Sequence, residues 1–306
     1  MSESHWRKRT ISAQVAKAVA RALTIAALCG AAVTSAQAVQ ITDDRGKTIE
    51  FKTAPQRIVS LLPSLTETVC ALQQCERLVG VDRYSNWPEF AEKLPKVGGG
   101  IDPNIEAVVA LKPDLILMST SARARDRFEA LGFTVVALEP RRLTDAERVL
   151  NTLGDILHVP PEQGAKRAWR EIEAGVEAAR QSLPARVKGT RVYFEVSRGP
   201  YAAGEKSFMG EILKRLGARN VVPEALGPFP RLNPEFIVRA NPDVIMIGNR
   251  SMQDAVNYPG WHTLKAVREK RVCAFDVAES DVLVRPGPRM AEAARIMARC
   301  LSEKAP

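Results

Sequence analysis

The sequence predicts an α/β protein of two lobes, each built on a parallel sheet, with one long helix between them. Three observations predict it. From residue 57 onward, short apolar strands alternate with helix-length amphipathic segments, the pattern of parallel β-α units. A fifteen-residue stretch, 104–118, returns at 233–247 at a constant offset of 129 without a gap. Between the two copies, Pro161–Leu183 is rich in Ala, Glu, Arg and Gln and has no Gly–Pro break, so it reads as a single helix of about six turns.

The elements follow in order. Ile41–Thr42 and Thr48–Phe51 form a short extended pair that turns at Asp43-Asp44-Arg45-Gly46. Arg57–Leu62 reads as a buried strand, and Ser64-Leu65-Thr66-Glu67 as a capping box opening a helix. Leu78–Val81, Leu115–Met118 and Val135–Leu138 are further strands, with Ala122–Leu131 and the segment after Thr144-Asp145-Ala146-Glu147 as helices. Beyond Pro184 the alternation resumes. Val192–Val196, Val244–Ile247 and Val272–Phe275 are strands; Phe208–Leu216, His262–Val267 and a last segment from Met290 are helices. Each copy of the repeat reads as an N-capping Asn (Asn104, Asn233), an acid in the first turn (Glu106, Glu235), a short helix, a Pro-Asp break and a buried strand. Lobes built alike make their interface the natural site.

The first 38 residues stand apart. Arg7, Lys8, Arg9, Lys17 and Arg21 make a basic leader, Ala22–Val33 is apolar but too short to span a bilayer, and Ala36 and Ala38 give the A-x-A spacing of a cleavage site. The reading is an export signal over 1–38, a first lobe over 39–159, a connecting helix over 160–184 and a second lobe over 185–306, in the periplasm. Without the leader the chain holds 39 basic and 34 acidic residues, with no basic run, which argues against nucleic-acid binding. Four cysteines remain, Cys70, Cys75, Cys273 and Cys300. An oxidising compartment favours disulfides, a local one in the first pair and a strand-to-helix clamp in the second; buried free thiols are the alternative.

Catalytic signatures are scarce. Only His158 and His262 follow the leader, without metal spacing, and there is no G-x-S-x-G elbow. Glu205 interrupts the Gly-Lys step that a phosphate loop at Gly199–Ser207 would need. Gly98-Gly99-Gly100 reads as a loop in close approach to something. The residues beyond the strand ends say more, since ligands of open α/β sheets meet those ends. They are Arg83, Tyr84 and Trp87, then Arg123, then Arg198 and Tyr201, then Arg250, then Arg285. Arginine with tyrosine suits a planar or polar organic ligand. No catalytic residue, metal ligand or resident cofactor is assigned.

Several segments resemble one family. Leu78-Val79-Gly80-Val81, Tyr84-Ser85-Asn86-Trp87-Pro88, Asn104-Ile105-Glu106, Ala110-Leu111-Lys112-Pro113-Asp114 and Arg285-Pro286-Gly287-Pro288-Arg289 are similar to the class III substrate-binding proteins of bacterial ABC importers, its cobalamin-binding members above all. The resemblance implies two Rossmann-like lobes on a rigid backbone helix, a ligand in the cleft, and a monomer serving a permease dimer with its ATPase. It places transporter docking on Glu106 and Glu235 and ligand contacts on Tyr84, Tyr201, Phe229 and Arg285. Tryptophans of the cobalamin-binding members correspond to Gly100 and Ser119 here, and a Trp-Phe pair to Val282-Leu283. Haem-binding members carry their axial tyrosine where this chain has Gly98-Gly99-Gly100. The expected ligand is cobalamin or a related corrinoid, with a ferric siderophore or other anionic chelate as the alternative and a secreted enzyme the weakest reading.

Overall fold

The computed structural model describes residues 38–306, so the expected leader, all but Ala38, lies outside the described residues. The chain opens with an antiparallel hairpin, β1 (Val39–Thr42) and β2 (Thr48–Phe51). The first lobe follows as β3 (Ile58–Ser60), α1 (Pro63–Ala71), β4 (Leu78–Val81), α2 (Glu89–Glu92), α3 (Ile105–Ala110), β5 (Leu115–Met118), α4 (Arg125–Ala130) and β6 (Val135–Ala137). Its four strands are all parallel, in the order β4-β3-β5-β6. Helices α5 (Leu143–Ile156) and α6 (Ala165–Gln181) lead onward.

The second lobe holds β7 (Arg191–Ser197), β8 (Tyr201–Ala202), α7 (Phe208–Arg215), β9 (Arg219–Asn220), α8 (Pro234–Ala240), β10 (Val244–Gly248), α9 (Asn249–Ala255), α10 (Lys265–Arg268), β11 (Val272–Phe275), α11 (Val277–Val284) and α12 (Met290–Lys304). Its sheet runs β11-β10-β7-β8, with β9 beside β7. The sequence predicts a parallel sheet here, and this one is not wholly parallel. β8 runs against β7 because only the short turn between Ser197 and Tyr201 joins them, and a parallel return needs a long crossover.

The repeat is the same physical unit in each lobe. Asn104 Oδ1 accepts from the Ala107 amide, and Asn233 Oδ1 from the Glu235 amide, so each asparagine caps its helix. Asp114 accepts from the amides of Gln56 (2.7 Å) and Arg57 (2.9 Å); Asp243 accepts from the Arg191 amide (3.0 Å). The Arg57 guanidinium donates to the carbonyls of Leu111 and Lys112, and that of Arg191 to those of Ala240 and Asn241. In both lobes an arginine at the first strand satisfies the open carbonyls at the end of the repeat helix, and an aspartate ties the next strand to the first.

The connecting helix is shorter than its sequence span. Residues 161–164 turn rather than continue it, and α6 starts at Ala165. Its buried stripe, Ala165, Ala168, Ile172, Val176 and Ala179, keeps helical spacing and faces α12 and α5. Gly175, a poor helix former, has a purpose: a Cβ there would lie 2.4 Å from the Ala291 methyl, so glycine sets how closely α6 and α12 approach. One continuous apolar core runs from Ile58 and Leu65 in the first lobe, through α5 and α6, to Val192 and Leu301 in the second. Each lobe also has an outer core of its own. Both cysteine pairs are bonded, Cys70–Cys75 across the end of α1 and Cys273–Cys300 between β11 and α12.

Two expected caps differ. Helix α1 begins at Pro63, with no side-chain cap, and Glu67 turns into the protein rather than back to Ser64. Helix α5 begins at Leu143, and Asp145 accepts from the amides of Arg141 and Arg142 instead of following Thr144.

Candidate functional site

The carboxyl ends of both sheets open onto two neighbouring hollows that share Asp281 and Val284 of α11. The first-lobe hollow, about 480 Å³, is bounded by Leu61, Leu62, Tyr84, Ile101, Glu139 and Arg285, among others. The second-lobe hollow, about 310 Å³, lies over β7, β10 and β11 and is bounded by Phe194, Glu195, Arg198, Arg250, Phe275 and Val277, among others. Helix α11 thus forms the partition of one cleft.

Tyr84 is placed by the turn after β4. Asp82 is fully buried; its carboxylate accepts from the Tyr84 amide at 2.8 Å and from the Ser85 hydroxyl at 2.5 Å. Burial outweighs these donors and pushes the Asp82 carboxyl above its ordinary range. The main chain being so held, the Tyr84 side chain stands 61% exposed over the first hollow. The triple glycine packs beside it. A Cβ on Gly100 would lie 2.5 Å from the Leu61 carbonyl oxygen, and Gly98 has φ +96°, so the close approach is to the protein's own backbone.

Arg285, the arginine contact the resemblance implies, borders the first hollow and is also engaged by the protein's own groups. Its side chain is 6% exposed, and Nη1 donates to Glu67 (2.9 Å) and Asn86 (2.8 Å), while Nη2 donates to the Tyr84 carbonyl (2.9 Å) and meets Asp281 (2.9 Å). Asn86 closes the set by donating to Asp281 at 2.8 Å. The guanidinium borders the cleft, but these partners occupy it, and it locks α1 and the Tyr84 turn to the end of α11. A second lock joins the lobes elsewhere, where Glu211 of α7 accepts from the Leu143 amide (2.7 Å) and from Arg142 (3.1 Å).

The other expected contacts are spread out. Trp87 lies under the Arg289 guanidinium, 4.9 Å from the ring centre, and bounds neither hollow. Tyr201 is 41% exposed, beside Arg231, and is likewise outside both linings. Phe229, half-buried, packs against Phe208 at 6.4 Å and the edge of the main core and bounds neither hollow. Arg123 is exposed and bounds neither hollow, though Ser121, two residues before it, bounds the first. Among the described residues, Glu106 and Glu235 are exposed on the first turns of α3 and α8 and have no ion-pair partner.

Sequence reasoning missed Glu195 and α11. Asp276 caps α11 by accepting from the Glu279 amide at 2.8 Å, an Asp-x-x-Glu signature readable in the sequence. Glu195 is a lone acid inside a strand of buried residues, and that interruption was its signal.

Residues 58–277 match the family model described as periplasmic binding protein. The chain belongs to the periplasmic binding protein family. An ABC transporter substrate-binding lipoprotein of Bacillus subtilis, YvrC, is 30% identical over 277 residues, covering 86% of this chain and 85% of its own. A vitamin B12-binding protein of Pectobacterium atrosepticum is 28% identical over 257 residues, 81% of this chain and 89% of its own. Among solved structures, the vitamin B12-binding protein BtuF of Vibrio cholerae aligns at a TM-score of 0.66 with 24% identity, covering 82% of this chain and 98% of that one. The haem-binding protein BhuT with two haems aligns at 0.69, also 24% identical, covering 83% and 100%. At that identity the two structures show the shared fold, two α/β lobes on a backbone helix. Members of this family are substrate-binding proteins of transport systems rather than enzymes.

Proposed function

We propose that this periplasmic binding protein carries cobalamin or a related corrinoid in the inter-lobe cleft and delivers it, in the periplasm, to an ABC permease dimer driven by its ATPase. It performs no chemistry on its cargo. The observation that carries the ligand reading is the charge of the cleft. Of the five arginines at strand ends, Arg83 is paired with Asp102 (3.0 Å), Arg198 with Asp254 (2.9 Å) and Arg285 with Glu67 and Asp281 (both 2.9 Å). Arg123 lies outside, which leaves Arg250. Against it, in the same hollow, stand Asp276 and the buried Glu195, while Glu139 is paired with Arg141 (3.3 Å) and Asp281 with Arg285. A carboxylate-rich ferric chelate or a haem propionate meets little net positive charge there. A corrinoid is neutral over most of its rim, and its peripheral carboxamides donate hydrogen bonds that carboxylates accept. The walls between those acids are apolar, Leu61, Leu62, Ile101 and Val284 on one side and Phe194, Phe275 and Val277 on the other, as a large ring system requires.

Tyr84 supplies the aromatic face at the first hollow. Tyr201 and Trp87, exposed beyond the linings, would meet only a ligand that extends past them. Glu106 and Glu235, exposed in matched register, are the docking pair in this reading. The test is a titration with cyanocobalamin at low and at moderate ionic strength. Affinity should change less than about threefold between the two, because the contacts are not ion pairs. No spectral change or heat at high micromolar cyanocobalamin, with salt-sensitive binding of a ferric siderophore instead, would replace the corrinoid by the anionic chelate.

A further inference from the structure

Glu195 sits inside β7, 1% exposed, among the residues that bound the second hollow, and strand alternation turns its side chain to the face of Tyr193, opposite Phe194. Two phenols reach it, Tyr193 at 3.0 Å and Tyr258 at 3.2 Å, each donating to the carboxylate. No cation pairs with it among the described residues. The charged groups around it are accounted for elsewhere: Arg198 is paired with Asp254 of α9, which itself repels a second negative charge, Asp276 caps α11, and Asp281 belongs to the Arg285 cluster. Arg250 lines the same hollow but is exposed. Burial therefore dominates, and the carboxyl is pushed up to about 7 although the two phenols oppose the shift.

We propose that Glu195 is a specificity-determining residue of the cleft, a buried acid that takes up a proton from solvent when a neutral ligand covers the second hollow and that turns away ligands presenting a carboxylate there. The inference rests on the corrinoid reading for its ligand. The reason is the solvent above the carboxyl. A ligand seated in the hollow replaces the solvent beyond the buried carboxyl with a low-dielectric body and supplies no cation, so the neutral acid is favoured further. Binding then competes with ionisation, and a second carboxylate brought to the same hollow would find only the exposed Arg250 as counter-charge against Glu195 and Asp276.

Calorimetry with cyanocobalamin tests this in two buffers of different ionisation heat, phosphate and Tris. At pH 7 the wild-type protein should take up about half a proton per ligand, and its affinity should fall about tenfold from pH 6 to pH 8. Glu195→Gln should take up none and bind with one affinity across that range. Tyr258→Phe, which removes a donor from the ionised form, should move the loss of affinity to higher pH. Equal heats in both buffers with a flat wild-type profile, or proton uptake that persists in Glu195→Gln, would overturn the proposal. Absence of any cyanocobalamin heat would remove the corrinoid reading instead. The acid would then be judged on the ligand-free protein by carboxyl ¹³C titration, where a midpoint near 7 sustains it and an ordinary carboxylate midpoint overturns it.

Discussion

Each lobe buries one glutamate near the cleft, and the two are treated in opposite ways. Glu67 of the first lobe, fully buried, faces the Arg285 guanidinium; Glu195 of the second, 1% exposed, faces only phenols. Both carboxyls lie above their ordinary range, because burial outweighs their partners. What differs is what each can do. The ionised Glu67 anchors a four-residue cluster spanning the lobes, and removing its cation leaves a charge with no water near it. Glu195 has nothing to anchor and can change charge without breaking a pair. One buried acid is a structural lock, and the other borders the second hollow without a cation.

Breaking the lock should have the largest effect. Arg285→Ala should lower unfolding free energy by about 3–5 kcal/mol in urea titrations, since it strands Glu67 as well as Asp281. Replacing both partners by apolar residues of similar size should recover much of that loss. Full stability in the single variant would show that the cluster is not a lock.

The disulfides extend the contrast, one per lobe. Removing Cys273–Cys300, which closes a loop of sequence separation 27, should cost about 3.5 kcal/mol, against about 2 for Cys70–Cys75 at separation 5. Denaturation of the two Cys→Ser pairs measures both, and an equal or reversed ranking contradicts the loop-length argument.

The second acid should show itself in pH dependence. A carboxyl raised in the folded state contributes stability that is complete below its unfolded value and is lost as pH rises through its folded value, here about 7. Relative to Glu195→Gln, the wild-type protein should therefore lose stability from about pH 4.5 to 7, with a slope of at most about 1.4 kcal/mol per pH unit. Glu67 contributes in the same direction to both proteins, so their difference isolates Glu195. Parallel stability curves would rule out the raised value.

The smallest effect on the protein itself belongs to the exposed pair. Glu106→Ala and Glu235→Ala should each change stability by less than about 0.5 kcal/mol and leave ligand affinity intact. Capture of the loaded protein by its permease, measured in proteoliposomes, should fall in both and fall further in the double variant. Loss of ligand affinity with docking preserved would reverse the assignment.

The framework was legible because its determinants are local. The 129-residue offset, the Asn caps and the Pro-Asp breaks specify backbone geometry within a few residues, and strands such as Leu78–Val81, Leu115–Met118 and Val272–Phe275 lie where apolar runs placed them. The cleft was less legible because its determinants are pairings across long sequence distances. Nothing near Arg285 announces Glu67, 218 residues away, so an arginine at a loop read as a ligand contact. The packing of Phe229, which the resemblance placed at the ligand, was hidden for the same reason, its partner Phe208 lying on another element. Helix α11 was readable from Asp276 and Glu279 but fell between a strand and a Pro-Gly turn, where no helix was expected.

Competition tests the proposed corrinoid cargo most directly. The protein, stripped of ligand, is offered equimolar cyanocobalamin, haemin and a ferric siderophore together, and the protein fraction is separated and its visible spectrum recorded. A corrinoid spectrum at one equivalent per chain is the expected result. A haem Soret band or a ferric charge-transfer band on the protein, with the corrinoid left in the small-molecule fraction, would contradict it.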